Sequence, residues 1–295
     1  MIKRIDVSFP VDGGVNLHGW LFLPDGPGPH PAVTMTAGLG GSIHHGLEPF
    51  AKAFAEAGYA VLLHDHRGFG ASGGEPRHDV DPWRQIADWR RAISFLESLD
   101  EIDAKRIGVW GTSYSGGHAL MLGATDRRLR AVVAQVPTIS GYEQALRRTP
   151  PDRLPAVDEA LMQDDRDQLN GAPGYQALVS ADPQVAAAFR TRDAVDFMLQ
   201  PLPEGVWENI VTVRSSLFSR MYEPGAFIGR ISPTPLLVIV ARDDRTTPTD
   251  LALSAYERAL QPKRLVIAPG GHYDIYLGQS HIAIAAAIAW FREHL

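Results

Sequence analysis

Apolar residues in this chain fall into short runs separated by stretches of helical periodicity, and the two patterns alternate almost without interruption. Strand-like runs occupy residues 3–9, 15–23, 32–36, 60–64, 107–111, 131–136, 236–241 and 265–268. A turn containing Asp12, Gly13 and Gly14 joins the first two. The later runs are continuously apolar, as expected of strands buried on both faces. Between them, Phe50, Phe54 and Ala57 share one helical face. A further helix opens with Asp81 as cap and Pro82 at its first position, then turns Ile86, Trp89, Ile93 and Leu96 inward. The last helix repeats the pattern with Ile284, Ile288, Phe291 and Leu295. This alternation predicts an α/β fold: a mainly parallel sheet of about eight strands covered by helices, with ligands at the carboxyl ends of the strands.

The alternation breaks once, between Pro137 and Ser232, where helical patches occur without a strongly apolar strand. Long structureless loops are rare, so a mainly helical lid is expected over residues 138–228, inserted into a core formed by 1–137 and 229–295. The acidic run Asp164, Asp165, Asp167 in that insert reads as a solvated helix face. Trp20, Trp83, Trp89 and Trp290 read as core.

A chain of 295 residues has room for one core domain of about 200 residues plus an insertion. Its net charge of −6, without a basic block, argues against a nucleic-acid partner. The absence of cysteine excludes disulfides, thiolate metal sites and cysteine nucleophiles. Residues 1–10 lack the apolar core of a signal peptide, and no segment is long enough to span a bilayer, so a cytoplasmic location is expected. The sequence leaves room for a homodimer.

Candidate chemistry begins where the run 107–111 meets a small-residue helix, at Gly111, Thr112, Ser113, Tyr114, Ser115 and Gly116. A serine hydroxyl is a weak nucleophile, so it must be raised clear of the backbone, within reach of a base and of spare N–H donors. Small residues on either side of Ser113 permit the sharp turn this requires. A second frame exists with Ser115 as nucleophile between Ser113 and Gly117; Ser113 is preferred because it follows the glycine that ends the strand. The base and its orienting acid are expected in loops after later strands. His272 follows the run 265–268, and Asp244 follows 236–241, with the adjacent Asp243 as its competitor. Asp244 is favoured because Pro248 can start the next helix. Oxyanion donors are expected from the backbone N–H of Tyr114, directly after the nucleophile, and of Leu39 in the loop Ala37 to Gly41, with Gly40 next in line.

Taken together, these residues resemble the alpha/beta-hydrolases along nearly the whole chain. The segments that carry the likeness are Ala37 to Gly41, Asp65 to Ser72, the turn around Ser113, and Gly271 to Tyr276. Within the superfamily the chain is similar to the serine esterase, thiohydrolase and acyltransferase branch near dienelactone-hydrolase-like and X-Pro-peptidase-like proteins. The order Ser113, Asp244, His272 is the order of that superfamily. Ala37 stands where many of its members carry a histidine, which removes a side-chain brace but keeps the backbone donor. The resemblance implies cleavage of a small-molecule carboxylic ester or thioester through an acyl-serine intermediate. Transfer of the acyl group to another acceptor, amidase or peptidase action, and a non-enzymatic binding role are the alternatives. No cofactor and no metal are expected. Gly68, Gly70 and Gly73 have dinucleotide-motif spacing, but no helix start follows them. His64 with His66, and His44 with His45, lack an obvious third ligand. His44 and His45 are placed at the pocket mouth, and Asp65 with Arg67 is read as a structural ion pair.

Overall fold

A computed structural model describes residues 1–295. Strands β1 (Lys3–Val11) and β2 (Val15–Leu23) form an antiparallel hairpin and lead into β3 (His30–Thr36). There follow α1 (Glu48–Glu56), β4 (Ala60–His64), α2 (Pro82–Glu97), β5 (Ile102–Thr112), α3 (Tyr114–Thr125) and β6 (Leu129–Gln135). The chain then leaves the sheet through α4 (Gly141–Arg148), α5 (Leu154–Asp167), β7 (Tyr175–Val179), β8 (Ala187–Phe189), α6 (Arg192–Met198), β9 (Val211–Thr212) and α7 (Val213–Arg220). It returns with β10 (Leu236–Ala241), α8 (Thr249–Arg258), β11 (Lys263–Ala268) and α9 (Ser280–His294).

The main sheet has eight strands in the order β1-β2-β4-β3-β5-β6-β10-β11. Pairings from β4 to β11 are parallel, and β2 joins β4 antiparallel. All eight expected strands are present. The register pairs Thr36 with Gly111 and Thr112 with Gln135, so β3, β5 and β6 end side by side. The loops after β3, β5, β10 and β11 therefore open on one edge.

Helix α2 begins as expected: the Asp81 carboxylate accepts the N–H groups of Trp83 and Arg84 at 3.0 and 3.2 Å, and Pro82 follows it. Its inward residues Trp89, Ile93 and Leu96 are fully buried. On the opposite face, Phe50 and Phe54 of α1 pack on Trp110, and Phe54 meets Phe291 of α9 edge-on. Helix α9 is turned slightly from the expected face: Ala283, Ala287, Trp290 and Phe291 are buried, while Ile284, Ile288 and Leu295 are half-buried. Gly108 of β5 explains the close fit, since a side chain there would collide with Phe291 and Leu295. Trp83 departs from its expected core position and is 55% exposed, with its ring edge-on to Tyr222. Successive helix residues turn by about 100°, so Trp83 follows the buried Pro82 round onto the outward side of α2.

The stretch between β6 and β10 contains four helices, and also a small sheet in the order β8-β7-β9 that periodicity did not reveal. The acidic run lies on α5 largely in solvent, except that Asp164 is buried and accepts the Gly174 N–H at 2.6 Å. This stretch lies over the carboxyl edge of the main sheet. Trp207 donates its indole N–H to the Gly40 carbonyl at 2.7 Å, and the Phe197 ring stacks near Tyr273 and Tyr276.

Candidate active site

Ser113 occupies the corner between β5 and α3 with φ of 56°, a left-handed conformation rarely adopted by a residue with a side chain. The neighbouring residues make that corner sterically possible. A Cβ on Gly111 would overlap the Ser115 carbonyl, and one on Gly116 would come within 2.8 Å of the Pro137 Cα. Backbone bonds brace the corner against β6: the Ser113 N–H donates to the Gln135 carbonyl, and the Ser113 carbonyl accepts from Thr138, both at 2.9 Å. The serine hydroxyl is thereby presented outward from a rigid support.

Across the same edge, His272 Nε2 lies 3.0 Å from Ser113 Oγ, and His272 Nδ1 lies 2.7 Å from Asp244 Oδ2. Both partners are buried. Asp243 is exposed and turned away, so of the two adjacent acids only Asp244 reaches the imidazole. Asp244 Oδ1 accepts the N–H groups of Thr246 and Thr247 at 2.8 Å each. Oδ2 is approached by the Thr247 hydroxyl at 2.9 Å as well as by the histidine. A carboxylate so surrounded by donors is fixed in direction, with Oδ2 turned to the imidazole. It therefore favours the imidazole tautomer with hydrogen on Nδ1, leaving Nε2 free to accept the serine proton.

Gly38 brings the loop after β3 close to the serine: a Cβ there would lie 2.9 Å from Ser113 Cβ. The Leu39 N–H has no protein acceptor, and the Tyr114 N–H, first in α3, has no intrahelical one. Both are thus available beside the serine. Gly40 takes φ of 68° and is covered by Leu178, which fixes the shape of this loop.

Two clefts meet at Ser113. The larger, about 490 Å³, is walled by Leu39, Leu47, Leu178, Phe189, Phe197, Met198, Tyr273 and Tyr276 and is mostly apolar. His45 lines it too; burial pushes its imidazole down to about 4, so the ring is neutral near pH 7. His44 instead lies edge-on to Trp20 and is not among the lining residues. The smaller cleft, about 290 Å³, is more polar.

Sequence reasoning missed several supporting contacts. Ser115, fully buried, donates its hydroxyl proton to the Ala37 carbonyl and lies 2.9 Å from His66 Nε2. It thus ties the turn around Ser113 to the loop carrying Leu39. Thr112 meets the Tyr276 hydroxyl at 2.5 Å, linking the same turn to the loop after β11. The expected Asp65 and Arg67 ion pair does not form. Arg67 makes a two-pronged pair with Asp88 of α2 at 2.6 Å, while Asp65 accepts backbone N–H groups, that of Ile43 at 2.8 Å. An alternating sequence position gave no sign of the distant partner. His64 and His66 lie with ring centres 6.2 Å apart in the core, beside Trp89.

An eight-stranded, mainly parallel sheet with a serine raised at a strand-to-helix corner, facing a histidine from the loop after the last strand, defines an alpha/beta hydrolase. The crystal structure of the alpha/beta hydrolase GrgF from Penicillium sp. superposes on the chain with a TM-score of 0.85 at 30% identity, covering 99% of each chain. The chain belongs to the X-Pro dipeptidyl-peptidase (S15) family, whose model matches residues 12–274. It is 33% identical to the quorum-quenching protein AidA of Acinetobacter baumannii, over 94% of this chain and 90% of that one. It is also 30% identical to a thiohydrolase of Eupenicillium brefeldianum, over 99% and 94% of the respective chains.

Proposed function

We propose that this chain is a serine hydrolase that cleaves a carboxylic ester or thioester, with Ser113 as nucleophile, His272 as general base and acid, and Asp244 as the group that orients the histidine. The observation that carries this reading is the unbroken run of contacts from Ser113 through His272 to Asp244, at 3.0 and 2.7 Å, on a serine held at positive φ. As Ser113 Oγ attacks the carbonyl carbon, His272 Nε2 takes its proton. The carbonyl oxygen becomes an anion held by the N–H groups of Leu39 and Tyr114. Collapse of the intermediate breaks the ester or thioester bond, and the leaving alcohol or thiol receives the proton from His272. Water, deprotonated by the same nitrogen, then attacks the acyl-serine and restores Ser113. Residues 138–228 serve as a cap, closing the apolar cleft over the acyl group.

Acyl transfer is the second reading, favoured by the meeting of two clefts at Ser113. One can hold the acyl chain while the other admits an alcohol, amine or thiol acceptor in place of water. The thiohydrolase relative speaks for a thioester as donor. The decisive experiment is incubation with ester and thioester panels alongside fluorophosphonate labelling. Turnover together with labelling of Ser113, both lost in Ser113→Ala, is expected. Failure of the unaltered protein to turn over any member and to be labelled would refute the assignment. Product analysis with competing acceptors separates hydrolysis from transfer.

A further inference from the structure

The smaller cleft beside Ser113 contains a cation without a counter-ion. Arg148, the last residue of α4, is partly buried with its guanidinium 4.7 Å from the centre of the Phe189 ring. It makes no ion pair and no side-chain hydrogen bond, and no acidic residue lines the cleft. Of the other five partly buried arginines, four are matched to a carboxylate, Arg67 to Asp88, Arg128 to Asp126, Arg214 to Asp79 and Arg220 to Asp158, and the fifth, Arg77, donates to the Ser72 and Gly70 carbonyls. Partners raise the pKa of Arg67, Arg128 and Arg214, whereas burial pushes Arg148 down to about 10. A second, independent observation lies one helical turn earlier. Gln144 lines the same cleft, is only 3% exposed, and its side-chain Nε2 has no hydrogen-bond partner.

A buried amide donor and an unneutralised guanidinium converging on one polar cavity are each costly unless something supplies acceptors. We infer that this cleft is a subsite for a carboxylate carried by the substrate, held by Arg148 and Gln144, while the apolar remainder occupies the larger cleft. The inference rests on the hydrolase reading and narrows it to a substrate class: an ester or thioester with an apolar branch on one side of the scissile carbonyl and a carboxylate on the other. Guanidinium is suited to this task because its fork of N–H groups matches two carboxylate oxygens and stays charged. Phe189, which lines both clefts, holds the guanidinium plane in place before the substrate arrives.

The test is a set of octanoyl thioesters and dicarboxylic half-thioesters in matched pairs. In one pair the leaving thiol bears a carboxylate or its methyl ester; in the other the acyl chain does. Thiol release is followed for each. For one pair, kcat/KM for the anionic member should exceed that of the neutral one by about tenfold or more, the scale of a charged hydrogen bond, chiefly through KM. Which pair responds assigns the cleft to the leaving-group or the acyl side. The preference should fall to about unity in Arg148→Gln and return in part in Arg148→Lys. Gln144→Met and added salt should each reduce it in a protein that keeps Arg148, so the test survives if Arg148→Gln fails to fold. Equal use of anionic and neutral members by the unaltered protein, or an undiminished preference in Arg148→Gln, overturns the inference and leaves the hydrolase reading intact. Absence of all turnover together with absence of Ser113 labelling refutes the hydrolase reading itself.

Discussion

Replacing Ser115 by alanine separates the two nucleophile frames that the turn sequence allows, and the structure sets the size of the effect. The Ala37 carbonyl can only accept, so the single hydroxyl proton of Ser115 goes to it, and His66 must carry its own hydrogen on Nε2 to complete the contact at 2.9 Å. Burial pushes His66 down to about 4, so the ring is neutral and its Nδ1 bears no hydrogen. Removing the hydroxyl leaves a buried carbonyl without this donor, at a cost of about 1 to 3 kcal/mol. The gain in helix propensity from serine to alanine offsets at most about 0.5 kcal/mol of this. At about 2 to 4 °C per kcal/mol, a net loss of about 0.5 to 3 kcal/mol should lower the melting temperature by roughly 1 to 12 °C.

The chemistry should suffer much less than the stability. Losing an oxyanion donor outright costs about 100- to 1,000-fold in rate, but Ser115→Ala only loosens the root of the loop that carries Leu39. Fluorophosphonate should therefore still label Ser113, with turnover reduced by less than about tenfold. Thermal melting and labelling rate, measured on the same preparation, check both halves. A Ser115→Ala protein as inert as Ser113→Ala would show that the nucleophile had been placed in the wrong frame. A variant with unchanged melting temperature would show that the bond to Ala37 contributes nothing.

Asp244→Asn should lower kcat by about 1,000- to 10,000-fold with little change in melting, because the amide cannot hold the required imidazole tautomer; the exposed Asp243→Asn should stay near the parent, and kinetics on the pair check it. Gly38→Ala puts a methyl group 2.9 Å from Ser113 Cβ and 3.3 Å from its Oγ, so labelling should fall at least tenfold, read by mass spectrometry. Stability should fall as pH drops from about 6.5 towards 4.5, measured by denaturant unfolding at each pH. Burial lowers the pKa of His45 and His66 to about 4, and holds His64 and His118 well below the usual imidazole value, so the unfolded chain takes up protons that the native state refuses. Burial raises Asp65 to about 7, which acts in the opposite sense, because the native state holds a proton that the unfolded chain releases. The lowered histidines outnumber the raised aspartates Asp65 and Asp88, so unfolding takes up protons on balance, and a flat profile over this window would refute the reasoning.

The main sheet was legible because its parallel strands are buried on both faces and so appear as continuous apolar runs, β10 being buried throughout. That Ser113, Asp244 and His272 lie together was legible for a related reason: such a sheet gathers the loops after its strands on one edge, so position in the chain stands in for position in space. The small sheet of the insert escaped because β8 and β9 are three and two residues long, too short to establish a period. The ion pairs escaped because a carboxylate partner leaves no local mark; Arg67 finds Asp88 from another element, not its neighbour Asp65.

Arg148 shows the same limit where it matters for function. Arg147 and Arg148 are chemically identical neighbours, and nothing in the sequence separates them. Successive residues on a helix point about 100° apart, so placing one in solvent turns the other towards the protein. Here Arg147 reaches outward to Asp250 at 2.7 Å, which leaves Arg148 facing the cleft beside Ser113. Strand order brings Ser113, His272 and Asp244 together, and on the proposed reading the rotational setting of α4 selects substrate charge.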